Sequence, residues 1–322
     1  KFINDDSSKK LLDKLLYVYH TVSSRILIST HGAFLFANRN RQTFVCLWHG
    51  MPLKRIAYWQ NPKNKNFLNN ATYILSTSSF YKPILAKCFG RSEKEIIALG
   101  YPRNDWLFME NESLKKLGFL QGLNEKLIMY LPTFRKTSGG GYSDSEQNIF
   151  RNSVVDFADN CKLEELNTFF RTLGIKMIVK PHPAESNQMG YCKLSNILIV
   201  PHDYFKDNDI QLNEVLHYAD ALITDFSGAY VDFLCLNRPI GFVLSDISDY
   251  GKNRGFVFDN ILDYLAGEKI YSNKDFKLFC KKISDGIDEN QNKRKNLQKV
   301  FNDYFDSDNC RRLADFLKIN HS

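Results

Sequence analysis

The sequence predicts an α/β protein built from two doubly wound halves that face each other across a cleft. Three observations carry that reading. Short apolar runs alternate with helix-compatible segments along most of the 322 residues, the pattern of parallel sheets covered on both faces. The alternation falls into two series that part near Gly118–Asn124. Histidine, arginine, glycine and proline cluster directly after the apolar runs, at the strand carboxyl ends where open α/β sheets bind ligands.

Taken in order, residues 1–25 read as a polar lead-in with an amphipathic helix carrying Leu11, Leu12, Leu15, Leu16, Val18 and Tyr19. Strands are expected at Arg25–Ser29, Thr43–Trp48, Tyr73–Ser76 and Ile96–Leu99, with a helix over Phe80–Phe89 and another over roughly Asp105–Leu117. The second series places strands at Lys126–Leu131, Lys176–Val179, Ile197–Val200, Ala221–Thr224 and Ile240–Val243. Between its first two strands lie the glycine-rich insertion Lys136–Glu146, read as a mobile loop near the site, and a long helix over Gln147–Leu173. After Val257 the chain turns helical and charged, with candidate helices at Lys274–Val300 and Cys310–Leu317. Residues 1–118 and 119–322 are the two expected domains, the C-terminal helices being free to pack back on the first.

Composition narrows the function classes. Hydrophobic residues at 43% and charged residues at 25% suit a soluble globular chain with room for two cores. No apolar run reaches transmembrane length, and the polar opening carries no signal-peptide pattern. Lys1 rather than methionine stands first, as expected of a piece from a longer protein. The seven cysteines are scattered with no CxxC pair, which argues for buried thiols in a reducing compartment rather than disulfides or zinc. The formal charge of +7 is spread along the chain without any nucleic-acid module, so an anionic small molecule or polymer is the simpler partner. Lys293, Arg294, Lys295 and Lys299 form a basic cluster. A solvated helix face explains it best, and peripheral contact with a membrane surface is the minority reading.

Most of the chemistry-bearing residues follow strands. Ala221–Thr224 stops on Asp225, after which Ser227 and Gly228 turn the strand straight into a helix. Ser227 reads as its N-cap, with unpaired N–H groups of the first turn available to a phosphate. His49 and Gly50 follow the Thr43–Leu47 strand, and His182 sits between two prolines after Lys180. An imidazole held in such a place can take a proton from a hydroxyl near neutral pH. Arg103 in Gly100–Asp105, Thr133 and Arg135 after Lys126–Leu131, and Arg238 after the Ser227 helix supply phosphate-binding groups. For Gly100–Asp105 itself a structural, helix-capping role is the stronger reading. The remaining histidines, 20, 31, 202, 217 and 321, read as structural or surface residues. No Walker loop, G-x-G-x-x-G or clustered carboxylate metal site is present in the sequence.

The ordered motifs WHGMPLK, GYPRND, YLPTFR, KPHP, LITDFSGAYVDF, LNRPIGF and NRGFVFD resemble those of the CDP-glycerol glycerophosphotransferases, the teichoic acid polymerases and primases, and related capsule polymerase modules. The likeness runs from about Ser24 to Phe258. It implies a GT-B fold of two Rossmann-like domains and transfer of glycerol phosphate, or ribitol phosphate, from a CDP donor to a hydroxyl of a growing polymer, with release of CMP. It implies no tightly bound cofactor, a polyol-phosphate or glycan-phosphate acceptor, and a place at the inner face of the bacterial cytoplasmic membrane. By resemblance, His49 and His182 match the family's two required histidines, and Thr224, Asp225, Ser227 and Gly228 fall on its donor loop. Three departures stand out: Met51 replaces the usual threonine, Gly228 replaces a second serine, and Pro181 stands where many members carry a different residue before the histidine-proline pair. His49 is then the general base and His182 its catalytic counterpart on the donor, with Ser227, Gly50, Lys180 and the arginines holding the donor, or the two histidines exchange these roles. The rival readings are a GT-B glycosyltransferase using a nucleotide sugar and a non-catalytic polymer-binding module.

Overall fold

A computed structural model describes residues 11–30, 37–64, 68–119, 122, 124–132, 160–181 and 190–319. Two sheets organise the chain. β1 (Ile26–Ser29), β2 (Thr43–Cys46), β3 (Tyr73–Ser76) and β4 (Ile96–Ala98) form a parallel sheet in simple order β1-β2-β3-β4. The second sheet comprises β5 (Lys126–Leu131), β6 (Ile175–Val179), β7 (Cys192–Lys193), β8 (Ile197–Ile199), β9 (Ala221–Thr224), β10 (Ile240–Val243) and β11 (Glu268–Ile270). Its order is β11-β10-β9-β5-β6-β8-β7, with only β7 antiparallel. The chain builds outward from β5 to β6 and β8, then returns to lay β9 on the other side of β5. That reversal between β5 and β9 is the topological switch point, where a crevice opens beyond the carboxyl ends.

The α/β class and GT-B arrangement predicted from the sequence are those observed. Every residue of β9 and β10 is buried, as expected of central parallel strands covered on both faces. Alternation along β5 divides the core. Leu127, Met129 and Leu131 join a cluster that runs through both halves of the molecule. Ile128 and Tyr130 face an outer cluster, with Leu163 and Phe170 from the Asn160–Thr172 helix and Phe276, Phe279 and Ile283 from the Asn273–Ser284 helix. Each such fully buried side chain contributes about 1.5–3 kcal/mol.

Several expectations change. The helix read over Asp105–Leu117 is a 3₁₀ stretch, Pro102–Phe108, followed by the short helix Ser113–Lys116. The helix read over Lys274–Val300 is two, Asn273–Ser284 and Gln291–Phe301. Gly286 breaks it: its φ of 71° lets Gly286 and Ile287 donate back to the carbonyls of Ile283 and Lys282, closing the first helix. β11 was not anticipated, because Glu-Lys-Ile at a sheet edge buries only Ile270. Of the helix read over Gln147–Leu173, residues 160–172 are helical; its first part and the Lys136–Glu146 insertion lie outside the described residues. Arg294 leaves the supposed basic cluster altogether, its side chain being buried and paired with Asp288, while Lys293, Lys295 and Lys299 stay exposed.

The loops at the carboxyl ends of the two sheets are joined by hydrogen bonds. Arg55 N–H donates to Gly255 C=O at 3.1 Å and Val257 N–H to Leu53 C=O at 3.0 Å, flanking an antiparallel bridge between Lys54 and Phe256. Thr77, just past β3, donates its hydroxyl to Phe301 C=O at 2.6 Å. Among the described residues, no helix is long and apolar enough to cross a membrane.

Candidate active site

The two sheets meet tip to tip where the loop after β2 touches the loop after β9. A Cβ placed on Gly228 would lie 3.0 Å from the Met51 carbonyl oxygen and 3.2 Å from Gly50 Cα. A Cβ on Gly50 would lie 3.2 Å from Arg103 Nη2 and 3.4 Å from Gly228 Cα. Gly50 also has φ 141°, a conformation open to glycine and costly for other residues. Glycine at both positions is therefore what lets the two backbones close together. Two of the three departures from the family pattern lie side by side here, Gly228 against the Met51 backbone.

His49 is exposed beside this junction, its ring 4.0 Å from that of Trp48, which is buried and holds φ 59°. On the opposite side, Thr224 Oγ1 donates to Leu131 C=O at 2.7 Å and ties the end of β9 to the end of β5 across the switch point. Asp225 is buried and Ser227 half-buried. The helix that follows is Ala229–Phe233, begins one residue later than expected, and has Gly228 rather than Ser227 at its N-cap position. Ser227 Oγ instead accepts from Ala229 N–H at 3.3 Å. With five residues the helix adds little macrodipole, so ligand attraction at this tip rests on individual N–H groups.

β6, the neighbour of β5, ends on Val179, and Lys180 N–H donates to Tyr130 C=O at 3.0 Å. The Lys180 ammonium lies 5.5 Å from the Phe205 ring centre. Burial lowers its pKa, with Asp203 opposing. The ends of β9, β5 and β6 thus bring Thr224, Asp225, Ser227 and Lys180 to one edge of the sheet. Thr133, Arg135 and His182 follow that edge in sequence and lie outside the described residues.

The hexapeptide Gly100–Asp105 binds the two halves of the molecule together. Arg103 Nη2 pairs with Asp232 Oδ2 at 2.7 Å. Asn104 Oδ1 accepts from Asn213 Nδ2 at 2.9 Å. Asp105 does cap a helix, as a structural reading supposed, but a distant one: its carboxylate accepts from Asn309 N–H at 2.8 Å and Cys310 N–H at 2.9 Å, the first turn of the Asn309–Phe316 helix. Arg238 is not brought to the cleft. It precedes β10, at the amino end of the sheet, and its Nη1 donates to the carbonyls of His217 and Ala219 at 2.6 and 2.8 Å. Asp232, in the helix Ala229–Phe233, is the buried partner of Arg103, and no local sequence pattern marks it as one.

Among the described residues, no group of three or more His, Cys, Asp or Glu side chains is placed to hold a metal ion. Cys46, Cys88, Cys192, Cys235, Cys280 and Cys310 are free. Burial pushes the Cys46 thiol up to about 11, so it stays protonated and packs as a small apolar group.

Two largely parallel sheets whose strand carboxyl ends meet around a glycine-lined junction, one side carrying an exposed histidine, have the arrangement of a GT-B fold. A profile of the family CDP-glycerol:poly(glycerophosphate) glycerophosphotransferase matches residues 1–318, and the chain belongs to that family. It is 28% identical over 277 residues to the teichoic acid poly(glycerol phosphate) polymerase of Bacillus spizizenii, covering 80% of this chain and 66% of that protein. The teichoic acid glycerol-phosphate primase of Bacillus subtilis is 27% identical over 317 residues, with 94% of this chain and 75% of the primase covered. The solved structure of the wall teichoic acid polymerase TagF shares the fold, with a TM-score of 0.71 at 24% identity, covering 91% of this chain and 72% of that one. The chain spans just under two thirds of the Bacillus spizizenii relative's length.

Proposed function

We propose that this protein transfers polyol phosphate, glycerol phosphate or ribitol phosphate, from a CDP-activated donor to a hydroxyl of a polyol-phosphate or glycan-phosphate polymer. The observation that carries the reading is the contact of Gly50 with Gly228, which sets the exposed His49 of one half beside the Ser227 tip of the other. A base and an anion-binding tip on opposite walls of one cleft suit an in-line displacement. The acceptor oxygen attacks the phosphorus that bears the polyol, His49 takes the hydroxyl proton, and the bond to the bridging oxygen breaks. CMP leaves with that oxygen, and a phosphodiester joins polyol to acceptor.

Thr224 and Asp225 shape the floor at the switch point, and the Ser227–Gly228 backbone and Lys180 face the donor's diphosphate. Thr133, Arg135 and His182 are assigned to the same donor side by their place after β5 and β6. Transition-state charge then meets fixed donors in a site partly closed to water. The reaction belongs at the inner face of the bacterial cytoplasmic membrane, in teichoic acid or capsule assembly. Arg238 has no part in it. The test is to incubate the protein with CDP-glycerol and CDP-ribitol separately, with and without a polyol-phosphate oligomer, and to follow both CMP and oligomer mass. CMP release with growth of the oligomer by whole polyol-phosphate units is expected. Release of CDP, with the oligomer growing by bare polyol units without phosphate, would overturn the reading.

A further inference from the structure

Asp232 is 2% exposed while its partner Arg103 keeps 34% of its side chain in contact with solvent. A carboxylate so deeply placed resists ionisation: burial raises its pKa, and the Arg103 charge opposes that rise. An isolated pair of this kind contributes little net stability, because removing both charges from water offsets their attraction. Its geometry is more informative. Arg103 belongs to the 3₁₀ stretch after β4, Asp232 to the helix that starts at the Gly228 tip, and the guanidinium lies 4.9 Å from the centre of the buried Tyr101 ring. The Nη2 atom that bonds Asp232 also lies 3.2 Å from the place a Cβ on Gly50 would take. Arginine's fork has five N–H donors in a fixed plane, so bonding one end to a carboxylate sets where the others reach.

We propose that Asp232 is a positioning residue for the transfer reaction. It holds the Arg103 guanidinium against Gly50 so that the exposed part of the fork meets the donor's diphosphate oxygens at the junction of the two halves. This rests on the reading of the cleft as the CDP-polyol site. Arg103 touches the substrate, and Asp232 acts through it.

The experiment compares wild type, Asp232→Asn, Arg103→Ala and the double variant, measuring kcat and KM for donor and acceptor well below the unfolding temperature. Misplacing a substrate-orienting group costs on the order of 100-fold in rate. Each single variant is therefore expected to lose about 10–100-fold in donor kcat/KM with the acceptor KM unchanged, and the double variant to be no worse than Arg103→Ala. Millimolar guanidinium should restore activity to Arg103→Ala, whose Asp232 can still hold the ion, and not to the double variant. A pair serving only to staple the halves would lower the unfolding midpoint and leave donor kcat/KM in place, which overturns the proposal. So do multiplying losses in the double variant, or rescue of both variants alike. If Asp232→Asn fails to fold, Arg103→Ala decides: no guanidinium rescue overturns it. Wild type that releases no CMP from either CDP-polyol overturns the reaction itself, and this role with it.

Discussion

Gly50 and Gly228 meet at the junction of the two halves, the second so close to the first loop that a Cβ on it would stand 3.0 Å from the Met51 carbonyl oxygen. Gly228 has φ −62°, so backbone conformation permits a side chain there and only space resists it. Gly228→Ser is therefore expected to fold normally and to push the two tips apart by a few tenths of an ångström. Its transfer rate should fall about 10-fold, on the scale by which positioning errors cost rate. Met51 is fully buried, and Met51→Thr gives the loop room to retreat. The double variant should regain most of the lost rate, read as kcat for CMP release, and independent losses at the two positions would contradict the coupling.

Gly100 faces a harder constraint. Its φ is 77°, and a Cβ would stand 1.8 Å from Asn309 Oδ1. Gly100→Ala must displace the Asn309 side chain, whose amide also bonds Asp105, and so disturbs the cap that Asp105 makes on the Asn309 and Cys310 N–H groups. Left-handed backbone in a residue with a side chain costs about 1–3 kcal/mol, and loss of a helix cap about 0.5–2 kcal/mol more. Asp105→Ala, which removes the cap alone, should cost the smaller amount. Urea unfolding gives both values. Amide exchange should show the loss of protection concentrated in 309–316.

Much of this architecture was legible because the central strands are apolar runs with small or polar residues at their carboxyl ends. Ala221–Thr224 and Ile240–Val243 are strands with the bounds expected of them. What pattern reading could not supply were partners far away in sequence. Asp105 reads as a cap for its own neighbourhood, yet it caps a helix 204 positions on. Arg103 reads as a free phosphate ligand, yet its carboxylate partner lies 129 positions on. Ser227 was assigned a cap one residue early, since the preference of serine for such places does not distinguish a cap from a turn just before it.

Glu95 makes the stability of the first half sensitive to acid. The Arg91 side chain, with Arg39 adding to it, holds the Glu95 carboxyl at about 2. Arg91 also donates to the carbonyls of Leu68 and Ala71 at 2.5 and 2.7 Å, so the ion pair braces the connection between β2 and β3 against the start of β4. Because the folded pKa lies below the unfolded one, this contribution is present in full above about pH 4.5 and is lost as pH falls toward 2. Partial exposure screens it, leaving about 1 kcal/mol. Glu95→Gln should therefore be less stable than wild type at pH 7, with the difference shrinking as pH falls through about 2, as measured by urea midpoints. A difference that does not shrink would assign the effect to packing.

His49 offers the most direct measurement on the chemistry. Its side chain is exposed, so His49→Ala should change stability by no more than about 0.5 kcal/mol. If the imidazole accepts the acceptor's proton, the same change should lower kcat by roughly 10²–10⁴-fold while the donor KM stays near its wild-type value. That division is what separates a base from a donor ligand: a group that binds the diphosphate equally in ground and transition states would raise KM and spare kcat. His49→Asn keeps a hydrogen-bonding side chain of similar reach without a titratable nitrogen, and should be as slow as the alanine variant. Near wild-type turnover in either variant at saturating acceptor would transfer the role of base to another residue and leave the Trp48–His49 pair as a wall of the cleft.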